Sequence, residues 1–170
     1  MSEPRTSTLT KLFYGNSLTG EHNQVAYVQS IPEFLTAPEP ITWSALDIDD
    51  ERQAIGRKKA ENLEIEIIFT EEQYDKLKAL EKARTNAYWF IQLPEETSET
   101  KKPLTWHFQA TIHVGMSEIA IDDMLKTKIT LYRNTAIEEN KGFPTVNTLP
   151  EPSDPSDSNE ENPGGNEETE

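Results

Sequence analysis

Asp47, Asp49, Asp50 and Glu51 place four carboxylates within five positions, the side chains with which a calcium loop surrounds a hard cation. Such a loop also needs Gly at its sixth place and Glu at its twelfth, where Arg52 and Lys58 stand instead. The cluster therefore reads as a solvated acidic turn. His107 and His113 share a strand face, but six residues at strand rise put them roughly 20 Å apart, too far to bind one metal. His22 stands alone among turn residues. With no cysteine there is no thiol nucleophile, thiolate metal site or disulfide. No glycine-rich phosphate loop, GxSxG elbow or HExxH motif occurs, and carboxylate pairs mean little without geometry. The expectation is no enzyme, no cofactor and no metal. Trp43, Trp89 and Trp106 could stack on a sugar or a base. Trp89 and Trp106 fall on apolar strand faces and are expected in the core, whereas Trp43 fits either role.

The elements that would hold such groups are clearest between Leu63 and Leu93. Leu63, Ile65, Ile67 and Phe69 alternate with Glu64 and Glu66, the period of a half-buried strand. Thr70 and Gln73 match a capping box, and Glu71 and Glu72 suit the first turn of a helix. The stripe Tyr74, Leu77, Leu80 and Ala83 predicts a helix over about 70–84, ended by Asn86. Ala87 to Leu93 is apolar on both faces, so both are expected to be covered. Trp106, Phe108, Ala110, Ile112 and Val114 alternate with polar residues, and Gly115 suggests a bend or bulge. A last strand is expected over Leu125 to Leu131, with Lys126, Lys128 and Thr130 on its polar side. Tyr74, Leu77, Leu80, Trp89, Trp106 and Phe108 are the candidates for helix–sheet packing.

Upstream, Thr8 to Phe13, Gln24 to Val28 and Ile41 to Ala45 are expected as short strands. The polar segment 46–62 reads as one long loop, its acidic cluster followed by Arg57, Lys58 and Lys59, and long loops within compact domains tend to carry function. The result is a mainly β fold: a two-sheet sandwich or partly closed barrel with one flanking helix.

Composition divides the chain into a domain over 1–146 and a tail over 147–170. The tail holds eight of the 31 acidic residues, no basic one and four prolines, and is expected to be disordered. The remaining 23 acidic residues against 16 basic ones still give a negative body, which disfavours phosphate-binding and anionic-lipid-binding surfaces. No apolar leader or membrane-length run occurs, so synthesis in the cytoplasm as a soluble protein is expected.

Taken in order, Trp43, the polar loop, LEIEIIFTEEQYDKLKALEKA, AYWFIQLPE and WHFQATIHVGMSEIAIDDMLKTKITLY resemble the major tail tube proteins of long-tailed phages with non-contractile tails. The resemblance covers a little over half the chain. It implies a structural virion protein, made in the host cytoplasm, whose hexameric rings stack into a tube. Its partners would be itself, a tape-measure protein and the tail terminator and distal tail proteins, with DNA passing through unbound. Loop 46–62 would then stack rings through Asp49, Asp50 and Glu51 against Arg57, Lys58 and Lys59, and 135–146 would form a C-terminal arm. Glu64 and Glu66 are the candidates for an acidic channel wall. The alternative is a β-sandwich binding module of carbohydrate or receptor type, with Trp43 exposed in a groove.

Overall fold

The computed structural model describes residues 7–47, 49–94 and 102–144. The segment 147–170, expected to be disordered, lies outside the described residues. The chain runs β1 (Lys11–Gly15), β2 (Asn23–Val25), β3 (Val28–Ser30), β4 (Pro40–Trp43), β5 (Arg52–Ile55), β6 (Leu63–Ile68), α1 (Glu71–Lys82), β7 (Ala87–Gln92), β8 (Leu104–Met116), β9 (Lys126–Arg133) and β10 (Glu138–Lys141).

One antiparallel sheet has the order β2-β1-β7-β8-β9-β6-β3, with β10 added beside β8, and β4 and β5 form a separate hairpin. Its two outermost strands are consecutive in the chain. β2 ends at Val25 and β3 begins at Val28, so three Cα steps, at most about 11 Å, link opposite edges of the sheet. The sheet must therefore curl on itself, and the fold is the partly closed barrel of the two arrangements expected. The single strand expected over Gln24 to Val28 is broken at Tyr27, whose φ of 57° is left-handed. Tyr27 O accepts a bond from Ile68 N at 3.0 Å, which continues the β3–β6 ladder up to the seam between β2 and β3.

Period-two burial explains the core. Leu63, Ile65 and Ile67 of β6, Ile129 and Leu131 of β9, and Phe108, Ala110, Ile112 and Val114 of β8 point inward. Leu77 of α1 meets them fully buried, with Tyr74 and Leu80 packed at its sides. Trp89 lies in this core, and Trp106 packs against its margin, edge-on to Phe34 at 5.2 Å.

The far side of β7 is covered as well. Phe90 is fully buried there, with His22 at 4.3 Å and Phe143 at 5.4 Å. Phe13 meets Phe143 edge-on at 5.1 Å. Gly142, at a φ of 78° that favours glycine, turns the chain after β10 so that Phe143 can reach this cluster.

Several local expectations are corrected. Segment 46–62 is not loop throughout, because Arg52–Ile55 pairs with Pro40–Trp43 as β5. Thr70 is the helix N-cap but makes no side-chain cap bond, and Gln73 reaches Ala26 O at 3.4 Å instead, tying α1 to the seam. The helix stops at Lys82 rather than Asn86, with Arg84 left-handed at a φ of 49°. Gly115 produces no bulge, since β8 pairs with β9 in unbroken register from Ala110 to Met116. His107, expected on a wet face, is buried at 5% exposure because Phe90 lies alongside and β10 covers its edge.

Candidate assembly surface

The β4–β5 hairpin is exposed at all eight of its residues. Register puts Ile41, Trp43, Arg52 and Ala54 on one face and Pro40, Thr42, Gln53 and Ile55 on the other. Both faces carry bare apolar surface, with Ile41 at 57%, Trp43 at 46% and Ile55 at 85% exposure. A lone two-stranded ribbon is marginal in water. Its base is held by Gly56 N donating to Glu39 O at 3.1 Å, an approach that leaves no room for a Cβ at Gly56. The Arg52 guanidinium lies 5.7 Å above the Trp43 ring and occupies one of its faces.

The two charge clusters sit at opposite ends of this hairpin. Asp49, Asp50 and Glu51 belong to the turn between the strands, whereas Arg57, Lys58 and Lys59 follow β5 at the base. Among the described residues no ion pair joins the clusters within the chain. Lys59 Nζ instead pairs with Glu39 at 2.7 Å, both groups largely exposed. Arg133 Nη2 donates to Lys59 O at 2.9 Å, which anchors the base to the end of β9. A cleft of about 290 Å³ opens here, lined by Phe34, Lys58, Lys59, Arg133, Thr135 and Ile137 among others.

Glu64 and Glu66 lie on the face of β6 turned away from the core, but their charge is partly matched. Lys128 Nζ is 2.6 Å from Glu64 and lies directly across from Glu66. The hydrogen bond and charge of Glu64, and more weakly the charge of Glu66, raise the Lys128 pKa. Lys126, at the start of the same strand as Lys128, is 3.6 Å from Asp123 in the preceding turn. The face is mixed rather than uniformly acidic.

α1 is tied to the sheet through polar groups as well. Glu81 bridges Lys78 Nζ at 2.7 Å and His113 Nδ1 at 2.7 Å. Its carboxyl is held below the ordinary 4.5, first by the Lys78 hydrogen bond; desolvation opposes this, and the His113 hydrogen bond adds to it. Among the described residues no group of three His, Cys, Asp or Glu has a metal-binding arrangement, and no helix is long and apolar enough to cross a membrane.

Reasoning from the sequence missed two apolar features. Leu46 and Ile55 on the hairpin, and Ile119, Ile121 and Met124 in the β8–β9 connection, are largely exposed. The available signal was apolar residues inside polar segments without a periodic partner.

No protein-family model and no curated protein matches the chain. Solved structures share its fold. A chain of the anti-feeding prophage baseplate, determined by cryo-EM with six-fold symmetry, superposes with a TM-score of 0.60 at 15% identity, over 82% of this chain and 97% of that one. A chain from the sheath/tube terminator of an extracellular contractile injection system, PVC, in its extended state gives 0.61 at 11% identity, over 82% and 98%. The fold is thus one used in phage-tail-like particles.

Proposed function

We propose that the chain is a structural subunit of a phage-tail-like tube, six copies closing a ring and rings stacking end to end. The observation that carries this reading is the β4–β5 hairpin, an exposed ribbon with apolar side chains on both faces that none of the described residues covers. Contact with a second copy would bury Ile41, Ile55 and Trp43, and a fully buried side chain of this size contributes about 1.5–3 kcal/mol. The sequence resembles tubes of non-contractile tails and the fold neighbours come from contractile systems; both support a structural role in a tail-like particle, and the tube ring is the reading we build on it.

Among the described residues β2 and β3 lie at the two ends of the sheet and do not pair with each other, so their outer sides, the outer side of β10 and the sides of the hairpin are open strand borders that neighbouring copies could pair. In a stack, the acidic turn of one hairpin would meet the basic base of the next copy. Each exposed pair is worth about 0–1 kcal/mol, and sixfold repetition adds them. The open polar face with Glu64, Glu66 and Lys128 would line the channel, mixed in charge and poor in sites that grip phosphate.

Electron microscopy and sedimentation of the purified chain test this. Rings roughly 100 Å across, or hollow tubes, are expected. A monomer at every concentration would overturn the proposal and favour the binding-module alternative, for which the exposure of Trp43 speaks.

A further inference from the structure

The cleft at the hairpin base gathers cations without a matching set of anions. Lys58, Lys59 and Arg133 line it, and the one carboxylate paired there among the described residues is Glu39, on Lys59. Arg133 uses Nη2 on Lys59 O, while its Nε–H is buried with no acceptor among the described residues. Phe34, Leu35 and Ile137 supply apolar lining beside the charges. Such a cleft suits an extended acidic peptide whose carboxylates reach the cations while its backbone rests on the apolar wall.

The same chain carries such a peptide. Glu151, Asp154, Asp157 and Glu160 recur every third residue, interleaved with Pro150, Pro152 and Pro155. Three residues make one turn of a polyproline II helix, so in that conformation the four carboxylates would share one face, about 9 Å apart. No basic residue occurs between 147 and 170 to compete for them. Glu151 and Glu160 stand seven and sixteen residues after Pro144, so an extended chain carries them at most about 25 and 55 Å from it.

We infer that the acidic segment 151–160 of this chain docks in the cleft formed by Lys58, Lys59 and Arg133. Docking neutralises the base of the hairpin, so it does not require rings and would compete with the acidic turn of a neighbouring copy for Lys58 and Lys59. The occupant is the segment of the same molecule or of a second copy.

Zero-length carbodiimide cross-linking of the full chain, read by mass spectrometry, tests this. The Lys76–Glu72 and Lys128–Glu64 pairs, each at 2.6 Å, serve as internal controls. Links from Lys58 or Lys59 to Glu151, Asp154, Asp157 or Glu160 should exceed tail links to Lys11, Lys82 and Lys141 at least tenfold. They should fall at least tenfold in 0.5 M salt, about where screening shortens below 5 Å. A quadruple variant Glu151→Gln, Asp154→Asn, Asp157→Asn and Glu160→Gln leaves the folded body untouched, and should raise the reactivity of Lys58 towards an amine-specific label. Mixing isotope-labelled and unlabelled chains separates docking within a molecule from docking between copies. Tail links spread evenly over the surface lysines, or none while the controls react, would overturn the inference.

Discussion

Lys78 Nζ donates to the carbonyl oxygen of Val114 at 2.8 Å, so the helix satisfies a strand edge that the sheet leaves open. β7 pairs with β8 only as far as Ala110, while β9 continues along the other side to Met116. Ser117 N bonds Lys126 O on the β9 side, and strand alternation therefore turns Val114 O to the side without a partner. A helix laid over an edge is one of the ways in which proteins prevent stray pairing.

Replacing Lys78 with Met keeps the aliphatic stem and removes the donor. The loss is expected to be about 1–2 kcal/mol, the net worth of the partly exposed hydrogen bond to Val114 O together with the ion pair to Glu81 that the same nitrogen makes. A urea titration should show a lower midpoint with an unchanged slope; an unchanged midpoint would mean that water serves Val114 equally well.

Glu81 gives the fold a dependence on acid. Because its carboxyl is lowered from 4.5 in the folded state, it contributes stability above that value, which is lost as the pH falls through the folded value. Glu81→Gln should therefore unfold at lower urea than the parent at pH 7, and the gap should close in strong acid. A gap independent of pH would remove ionisation as the cause.

Trp43→Ser combined with Ile55→Ser strips apolar surface from both hairpin faces, at positions that contribute nothing to the buried core. Thermal unfolding of the monomer should shift little, as is usual for exposed sites. Ring or tube formation, followed by sedimentation, should be lost. Normal tubes would show that the hairpin is not a contact.

Reversing the hairpin turn, with Asp49, Asp50 and Glu51 all changed to Lys, should shorten or abolish tubes by placing like charges against the basic base. Adding Arg57→Glu, Lys58→Glu and Lys59→Glu should restore length if the two ends meet between copies. Failure of this rescue would break the pairing.

Glu64→Lys with Glu66→Lys makes the open face of β6 and β9 strongly basic. If that face lines the channel, tubes should form normally and DNA ejection should slow, because each added cation gains a phosphate contact. Ejection at the parental rate would assign the face elsewhere.

What the sequence made legible was what periodicity can encode. The alternation of β6, the Tyr74–Leu77–Leu80 stripe and the doubly apolar β7 each reflect burial, and each element stands where its pattern implied. β5 and β10 have no such pattern. Arg52–Ile55 is held by backbone pairing with its side chains in water, and Glu138–Lys141 adds only polar side-chain contacts to β8, Glu138 and Asn140 to His107 and Glu139 to Trp106, which leave no periodic apolar signal. β10 forms because β9 leaves β8 at Ala110, where Asn134 N bonds Gln109 O at 2.8 Å and Thr135 Oγ1 accepts from Gln109 N at 2.9 Å. The strand that follows takes the vacated edge.

The candidate surface was legible as charge and not as shape. Asp49 to Glu51 and Arg57 to Lys59 were visible as clusters, but their separation to opposite ends of a ribbon depends on four strand residues that a polar composition hides. Arg133 joins Lys59 only through the long-range packing of β9, which local spacing does not report. The partner of Phe90 was equally out of reach, since Phe143 arrives from beyond β10.

β8 is the strand against which β7, β9, β10 and α1 all assemble, and β6, beyond its short pairing with β3, is completed only by β9. A ribosome that has released β6, α1 and β7 has therefore made only half-covered apolar surfaces, and it must translate to Arg133 before they can be joined. Premature termination just upstream of β9 should yield aggregates rather than a smaller soluble subunit.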